Sequence, residues 1–215
     1  MQKLIFGVQY VYGCDVSGDL AEFGTMSGQS AELLARAMVM TEQRFEHHIA
    51  LSGLGQRNLW LFDSFQGLPP SIAEVDRESP HVQSGVWAPG TCQGISQEEL
   101  LARCGQVLPL HRIHIYDGWF SETMPTIPES TRFCLIHVDC DLYSSTHDVL
   151  DSIFGRHLVS EGATIFFDDW DCNRASPGFG ERLAWAECIK KYRIEYSDCG
   201  SYGFASHRFI VHEYV

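Results

Sequence analysis

Two pairs of carboxylates carry the strongest chemical signal in this chain: Asp139-Cys-Asp141 and Asp168-Asp169. The first follows an apolar run, Phe133 to Val138, that reads as a buried strand. Tyr143-Ser-Ser-Thr146 comes next, with hydroxyls suited to capping a helix. The second pair follows a similar run, Ala163 to Phe167, and leads into Trp170. In open α/β sheets, ligands sit beyond the carboxyl ends of strands. Two neighbouring strands ending in acids would gather three or four carboxylates, which repel when unpaired. A divalent cation with oxygen ligands is the simplest remedy. Each pair alone has a plainer reading, Asp141 as a helix cap and Asp168-Asp169 as a strand end. Their matching positions favour the metal.

Other acids recur at strand ends. Asp19-Leu-Ala-Glu-Phe23 reads as the first strand and runs into Gly24-Thr-Met-Ser-Gly28. A helical pattern follows from Gln29 to about Phe45, with Ser27 as its expected N-cap. Strand, glycine turn and helix N-terminus make a cradle for a nucleotide-like ligand, or merely a tight turn. Asn58 to Phe62 is the second strand and ends in Asp63. That acid can accept from ribose hydroxyls, or it can cap the turn before Ser64-Phe-Gln-Gly-Leu-Pro-Pro70. Arg112 to Tyr116 is the third strand and ends at Asp117.

Residues 1 to 18 look short and mixed. Gln66 to Ile95 shows no period and is broken by prolines and glycines, which reads as a substrate-side lid. Trp87 within it argues for partial packing. Ser96-Gln-Glu-Glu99 is a capping-box pattern before a helix from about Gln97 to Gln106. Helices are also expected from about Ser145 to Phe154 and from Gly180 to Tyr192, with a loop over 171–179. Arg193 to Ser197 and His207 to His212 are the last strands, and the short turn between them makes them antiparallel. Strands alternating with helices predict an α/β fold, a mostly parallel, doubly wound sheet of seven strands with an antiparallel C-terminal hairpin.

Composition narrows the function. The 215 residues suffice for one domain with a sizeable core. A net charge of −13 would repel nucleic acid and anionic membrane, so neither is an expected partner. No apolar run approaches the ~20 residues that span a bilayer, and the N-terminus lacks a signal-peptide pattern. The cysteines form no C-x-x-C pair and read as reduced thiols of a cytoplasmic protein. The histidines show no H-x-x-x-H spacing, which argues against zinc. His137 reads as a core histidine and His147 as an exposed one; both are rivals to aspartate as a base.

Five segments together resemble the macrocin O-methyltransferase family: Glu22-Phe-Gly24, Phe62-Asp-Ser-Phe-Gln-Gly-Leu-Pro69, Gly118-Trp-Phe-Ser-Glu-Thr-Met-Pro125, Val138-Asp-Cys-Asp-Leu-Tyr-Ser-Ser-Thr146 and Phe167-Asp-Asp-Trp170. They fall in order over about residues 18 to 190. The resemblance implies a Rossmann-like methyltransferase sheet and an enzyme that uses S-adenosylmethionine and Mg²⁺ to methylate hydroxyls, often on antibiotic sugars. It implies Asp139, Asp168 and Asp169 as metal ligands and Asp141 as the general base. Glu22, Gly24, Gly28 and Ser30 would lie along the methionine and ribose side of the cofactor. Asp63 would meet the ribose, Asp117, Gly118 and Trp119 the adenine, and Ser64 and Asp139 would also border the cofactor. Little chain precedes the first strand, so an N-terminal helical cover is expected to be reduced or absent. The interval from Phe154 to Gly162 is slightly long for the family.

An aliphatic hydroxyl is too weak an acid for a free aspartate of pKa near 3.9. A bound Mg²⁺ lowers the hydroxyl's pKa and fixes a vicinal diol, so the acid cluster and a small-molecule hydroxyl acceptor explain each other. D-x-D also serves phosphoryl transfer of the haloacid dehalogenase type and sugar-nucleotide binding in glycosyltransferases. Neither gives Glu22-Phe-Gly24 or Asp63 a task. A non-catalytic cofactor-binding partner is the remaining alternative. A homodimer is compatible with the size.

Overall fold

In the computed structural model, which describes residues 2–215, the apolar runs become strands β1 (Asp19–Phe23), β2 (Leu59–Asp63), β3 (Ile113–Asp117), β4 (Phe133–Val138), β5 (Val159–Phe167), β6 (Glu195–Ser201) and β7 (His207–Glu213). They form one seven-stranded sheet in the order β3-β2-β1-β4-β5-β7-β6. The first five are parallel; β7 runs antiparallel to β5, and β6 to β7. The α/β class, the doubly wound sheet and the C-terminal hairpin all match the expectation.

Between the strands lie helices α1 (Gln2–Gly13), α2 (Gln29–Arg44), α3 (Glu46–Ser52), α4 (Glu74–Glu78), α5 (Pro80–Gln83), α6 (Gln97–Gly105), α7 (Phe120–Thr123), α8 (Tyr143–Gly155) and α9 (Gly180–Tyr192). Alternation along the strands decides what covers each face. Leu20, Leu61 and Leu135 meet Leu4, Val8, Leu34, Met38 and Leu100 from α1, α2 and α6. Phe23, Ile136 and Phe167 meet Val149, Ile153, Ala184 and Trp185 from α8 and α9. Burying each large apolar side chain contributes roughly 2 kcal/mol, so these two layers hold the strand ends in register. β4, between them, is buried along its whole length, whereas edge strand β6 is almost wholly exposed.

One buried ion pair ties the β3 edge to α2. Arg112 is 3% exposed; its guanidinium donates to both carboxylate oxygens of Glu42 and its Nε to the Arg57 carbonyl at 2.7 Å. Arg112→Ala leaves the part-exposed Glu42 carboxylate with the Tyr12 hydroxyl as its donor and is expected to cost about 2 kcal/mol. Urea denaturation should show this as a lower midpoint with an unchanged slope.

Several local expectations are corrected. Residues ahead of β1 are not short and mixed but form α1, which packs beside α2 on the sheet. Gly7 permits the approach, since a Cβ there would sit 2.5 Å from the Phe166 ring. Ser27 does not cap α2; Gly28, at φ +71°, takes that place without a side-chain cap. Residues 66–95 are not structureless, because α4 and α5 lie within them, each too short to show a period. The long interval after Phe154 closes as the start of β5 at Val159. Ser96 does cap α6, accepting from Glu99 N.

Candidate active site

The ladder of the parallel strands sets the site. Beyond the strand ends, Gly24 N donates to Phe62 O, Gly118 N to Asp63 O, Asp139 N to Phe23 O and Asp168 N to Val138 O. These bonds bring the residues that follow β1, β3, β4 and β5 to one level, where the strand order reverses. A cleft of about 590 Å³ opens there. Met26, Leu68, Pro69, Pro70, Ile72, Trp119 and Phe120 give it an apolar side; Asp139, Asp141, Asp148 and Asp168 give it an acidic one. Among the described residues lining it, none is Lys, Arg or His. Such a wall favours a cationic or neutral ligand over an anionic one.

Of the sequence-derived candidates, Gly24, Asp63, Ser64, Gly118, Trp119, Asp139, Asp141 and Asp168 line the cleft. Asp169 lies just behind this wall, with Oδ2 buried and without a hydrogen-bond partner. Glu22, Gly28, Ser30 and Asp117 are not part of the wall. Glu22 is wholly buried and bonded to His137 Nδ1 at 2.8 Å. Gly28 faces Ile95 and Leu100 instead, and Asp117 is exposed.

Gly24 is fixed by sterics. Its φ is +88°, and a Cβ there would lie 1.9 Å from the Asp139 carbonyl oxygen. The turn after β1 therefore runs directly against the end of β4. Asp63 holds that turn: its Oδ2 accepts from Thr25 N (2.7 Å), Thr25 Oγ1 (2.9 Å) and Met26 N (3.1 Å), and its Oδ1 from Phe65 N (2.8 Å). A carboxylate has about two acceptor positions on each oxygen, so Oδ2 is fully engaged while Oδ1 keeps one position open. The turn-capping role is thus present, and Oδ1, which takes a single donor, is the oxygen free to accept a hydroxyl from the cleft.

The acids repel one another. Burial raises Asp139, and Asp169, Asp168 and Asp141 raise it further against the opposing charge of His137. Burial also raises Asp141, helped by Asp169 and Asp168. Asp169 is raised chiefly by burial, with Asp168 adding to it. Among the described residues, no three His, Cys, Asp or Glu groups close on one point tightly enough to hold a metal ion. Asp139 and Asp168 instead border an open cleft, and Asp169 lies behind it with a buried, unpartnered oxygen. An all-carboxylate set on an open cleft suits Mg²⁺, an ion that takes oxygen ligands and keeps several waters.

Three residues without a sequence signal support the cluster. Glu181, 1% exposed at the start of α9, accepts from Asp169 N at 3.0 Å; burial and the four aspartates push its pKa well up. Tyr202, from the β6–β7 turn, donates to Asp168 Oδ1 at 3.0 Å. Asp76 of α4 accepts from the backbone N–H of Tyr143 and Ser144. The sequence suggests hydroxyls as the cap of α8, yet its N-cap, Leu142, has none, and Asp76 supplies the acceptors from a distant segment. His137 is buried as expected; burial alone would lower its pKa, and the Glu22 carboxylate and neighbouring aspartates outweigh that and raise it to about 9. His147 faces a small pocket between α8 and α9 with Glu187 and Lys191, away from the cleft. Residues 66–95 wall the cleft through Gly67 to Ala73 and Cys92, whereas 171–179 contribute no wall residue.

The family described as Macrocin-O-methyltransferase (TylF) matches residues 1–191. A Streptomyces olivaceus protein, 8-demethyl-8-(2,3-dimethoxy-alpha-L-rhamnosyl)-tetracenomycin-C 4'-O-methyltransferase, is 31% identical over 175 residues, covering 79% of this chain and 59% of that protein. Demethyldecarbamoylnovobiocin O-methyltransferase of Streptomyces niveus is 29% identical over 168 residues, covering 76% of this chain and 56% of its own. The chain thus spans somewhat over half the length of these relatives. The structure of the O-methyltransferase NovP superposes with a TM-score of 0.76 at 24% identity, over 99% of this chain and 79% of that one, and shares the fold.

Proposed function

This chain belongs to the macrocin O-methyltransferase family, and we propose from that premise that it transfers a methyl group from S-adenosylmethionine to a hydroxyl of a small-molecule natural product, with a sugar hydroxyl as the favoured acceptor. The observation that carries the reading is the cleft itself: a glycine turn packed against Asp139 at the point of strand reversal, with acids on one side and no basic residue on its wall. A sulfonium cation fits that charge. The sugar acceptor rests on relatives, one of which carries a rhamnosyl group in the name of its substrate. The reduced cysteines, all eight of which carry free thiols, are in keeping with a cytoplasmic enzyme.

In this reading Gly24, Asp63 and Ser64 flank the ribose and methionine parts, and Gly118 and Trp119 the adenine. Glu22 acts from beneath through His137, and Gly28 and Ser30 shape the turn and helix start that carry Gly24. Asp117 is exposed and keeps only a place beside the adenine edge. Asp139, Asp168 and Asp169 are the residues that would hold Mg²⁺, and the chemistry it would supply is a lower pKa for the acceptor hydroxyl. Asp141 takes the hydroxyl proton as the oxygen–methyl bond forms and the carbon–sulfur bond breaks, leaving a neutral thioether. Leu68, Pro69, Pro70 and Ile72 exclude water from the reacting groups. Transfer of tritiated methyl from S-adenosylmethionine to glycosylated polyketides tests this. Label in the glycoside, lost on adding chelator, is expected; label in none of a panel of glycosides, phenols and catechols would overturn it.

The raised pKa values give a second expectation. An acid raised in the folded state contributes stability below its unfolded pKa, and loses it as pH rises through the folded value. A cation bound in place of those protons offsets the loss. Mg²⁺ should therefore raise the melting temperature at about pH 8 and do so progressively less toward about pH 5. An equal shift at both, or none, would contradict the ligand set.

A further inference from the structure

Residues 66–95 are bolted to the ends of β4 and β5. Asp76 is 1% exposed, although a carboxylate on a five-residue helix would ordinarily face water. Its Oδ1 accepts from Tyr143 N at 2.8 Å and its Oδ2 from Ser144 N at 3.2 Å. Those N–H groups open α8 and have no acceptor within their own helix. Two residues upstream, Asp141 sits at φ +60°, a left-handed conformation that a non-glycine residue keeps only when its surroundings impose it. Between them, Leu142 is 1% exposed and packs on Leu68 and Trp87 of the same lid segment. Hydrogen bonds and apolar contact from this one segment thus fix the chain that leaves Asp141.

A second fastening keeps the segment seated. His81 N donates to Asn173 Oδ1 at 3.0 Å, and Asn173 N donates to His81 Nδ1 at 2.9 Å. Asn173, Arg174 and Ala175 all have positive φ, so this turn after β5 is likewise held from outside. Trp87 packs against His81 with the rings tilted by 33° and centroids 4.5 Å apart.

We propose that Asp76 is a positioning residue for Asp141, acting through the first two amides of α8, so that the wall of the acceptor pocket and the proton acceptor form one unit. This rests on Asp141 being the base of the proposed methyl transfer. Acceptor recognition by 66–73 and the orientation of Asp141 are then coupled: whatever seats the wall also sets the base.

The test uses the full chain, carbon-13 labelled at aspartate carboxyls, with amide exchange read by NMR and S-adenosylhomocysteine as the binding probe. In Asp76→Ala, the Tyr143 and Ser144 amides should exchange at least about tenfold faster. The Asp141 carboxyl resonance, assigned by its loss in Asp141→Asn, should shift while that of Asp63 stays, and amides of β1 and α2 should keep their rates. Asp76→Asn retains one acceptor oxygen, so one of the two amides should stay slow; this variant also serves if the alanine protein folds poorly. An unmoved Asp141 resonance in both variants, or faster exchange spread evenly over the chain, would overturn the proposal. S-adenosylhomocysteine should bind the variants as it binds the wild type. Failure of the wild type to bind it would count against the methyltransferase reading, while the amide and carboxyl readouts would still judge the fastening.

Discussion

Asp141→Asn is expected to slow methyl transfer about a thousandfold, the size of effect that general-base removal produces, while S-adenosylhomocysteine affinity stays within about threefold. Asp141 lines the cleft beside Asp139 and Asp168, lies at a left-handed φ that fixes its direction, and is raised by burial and by its acidic neighbours. A raised carboxylate is a better proton acceptor than a free one, because its conjugate acid is weaker. Asparagine preserves shape and removes that basicity. Asp139→Asn should differ in kind: activity falls and the response to added Mg²⁺ is lost, since a proposed ligand has gone. If Asp141→Asn retained most of the activity, the base would have to be sought elsewhere. His137 is a poor substitute, being 2% exposed and bonded to Glu22.

Gly24→Ala should abolish cofactor binding, weakening S-adenosylhomocysteine more than about a hundredfold, a loss near 3 kcal/mol. The position is doubly constrained, by φ +88° and by the Asp139 carbonyl 1.9 Å from where a Cβ would stand. The alanine must push the turn away from β4, and Asp63 then loses the Thr25 and Met26 donors it now holds. Calorimetry checks the affinity and circular dichroism the fold. Wild-type affinity in the alanine variant would mean that the turn does not border the cofactor.

The sheet and the acids were legible because they obey short-range rules. β4 is a continuous apolar run buried on both faces, and Asp139 and Asp141 follow it directly. Gly24 and Asp63 were legible as types at strand ends. What stayed hidden depends on tertiary partners. The residues of α1 include Ile5, Phe6, Val8, Tyr10 and Val11, which favour strand in isolation; packing against α2 and the sheet makes them a helix. Asp76 and His81 find their partners 67 and 92 residues away, beyond any local pattern. Glu181 looks like an ordinary acid in a first helical turn, and only the fold shows it buried under Asp169. Asp63 carried two readings, and the four donors around it make turn-holding part of its work whatever else it binds.

Calorimetric titration of S-adenosylhomocysteine into the metal-free protein, repeated with Mg²⁺, decides whether the cleft is a methyltransferase site. Saturable binding at one site per chain, weakened by Asp63→Ala and by Gly24→Ala, is the expected result. Absence of binding under both conditions would contradict it and return the carboxylates to phosphoryl or glycosyl transfer.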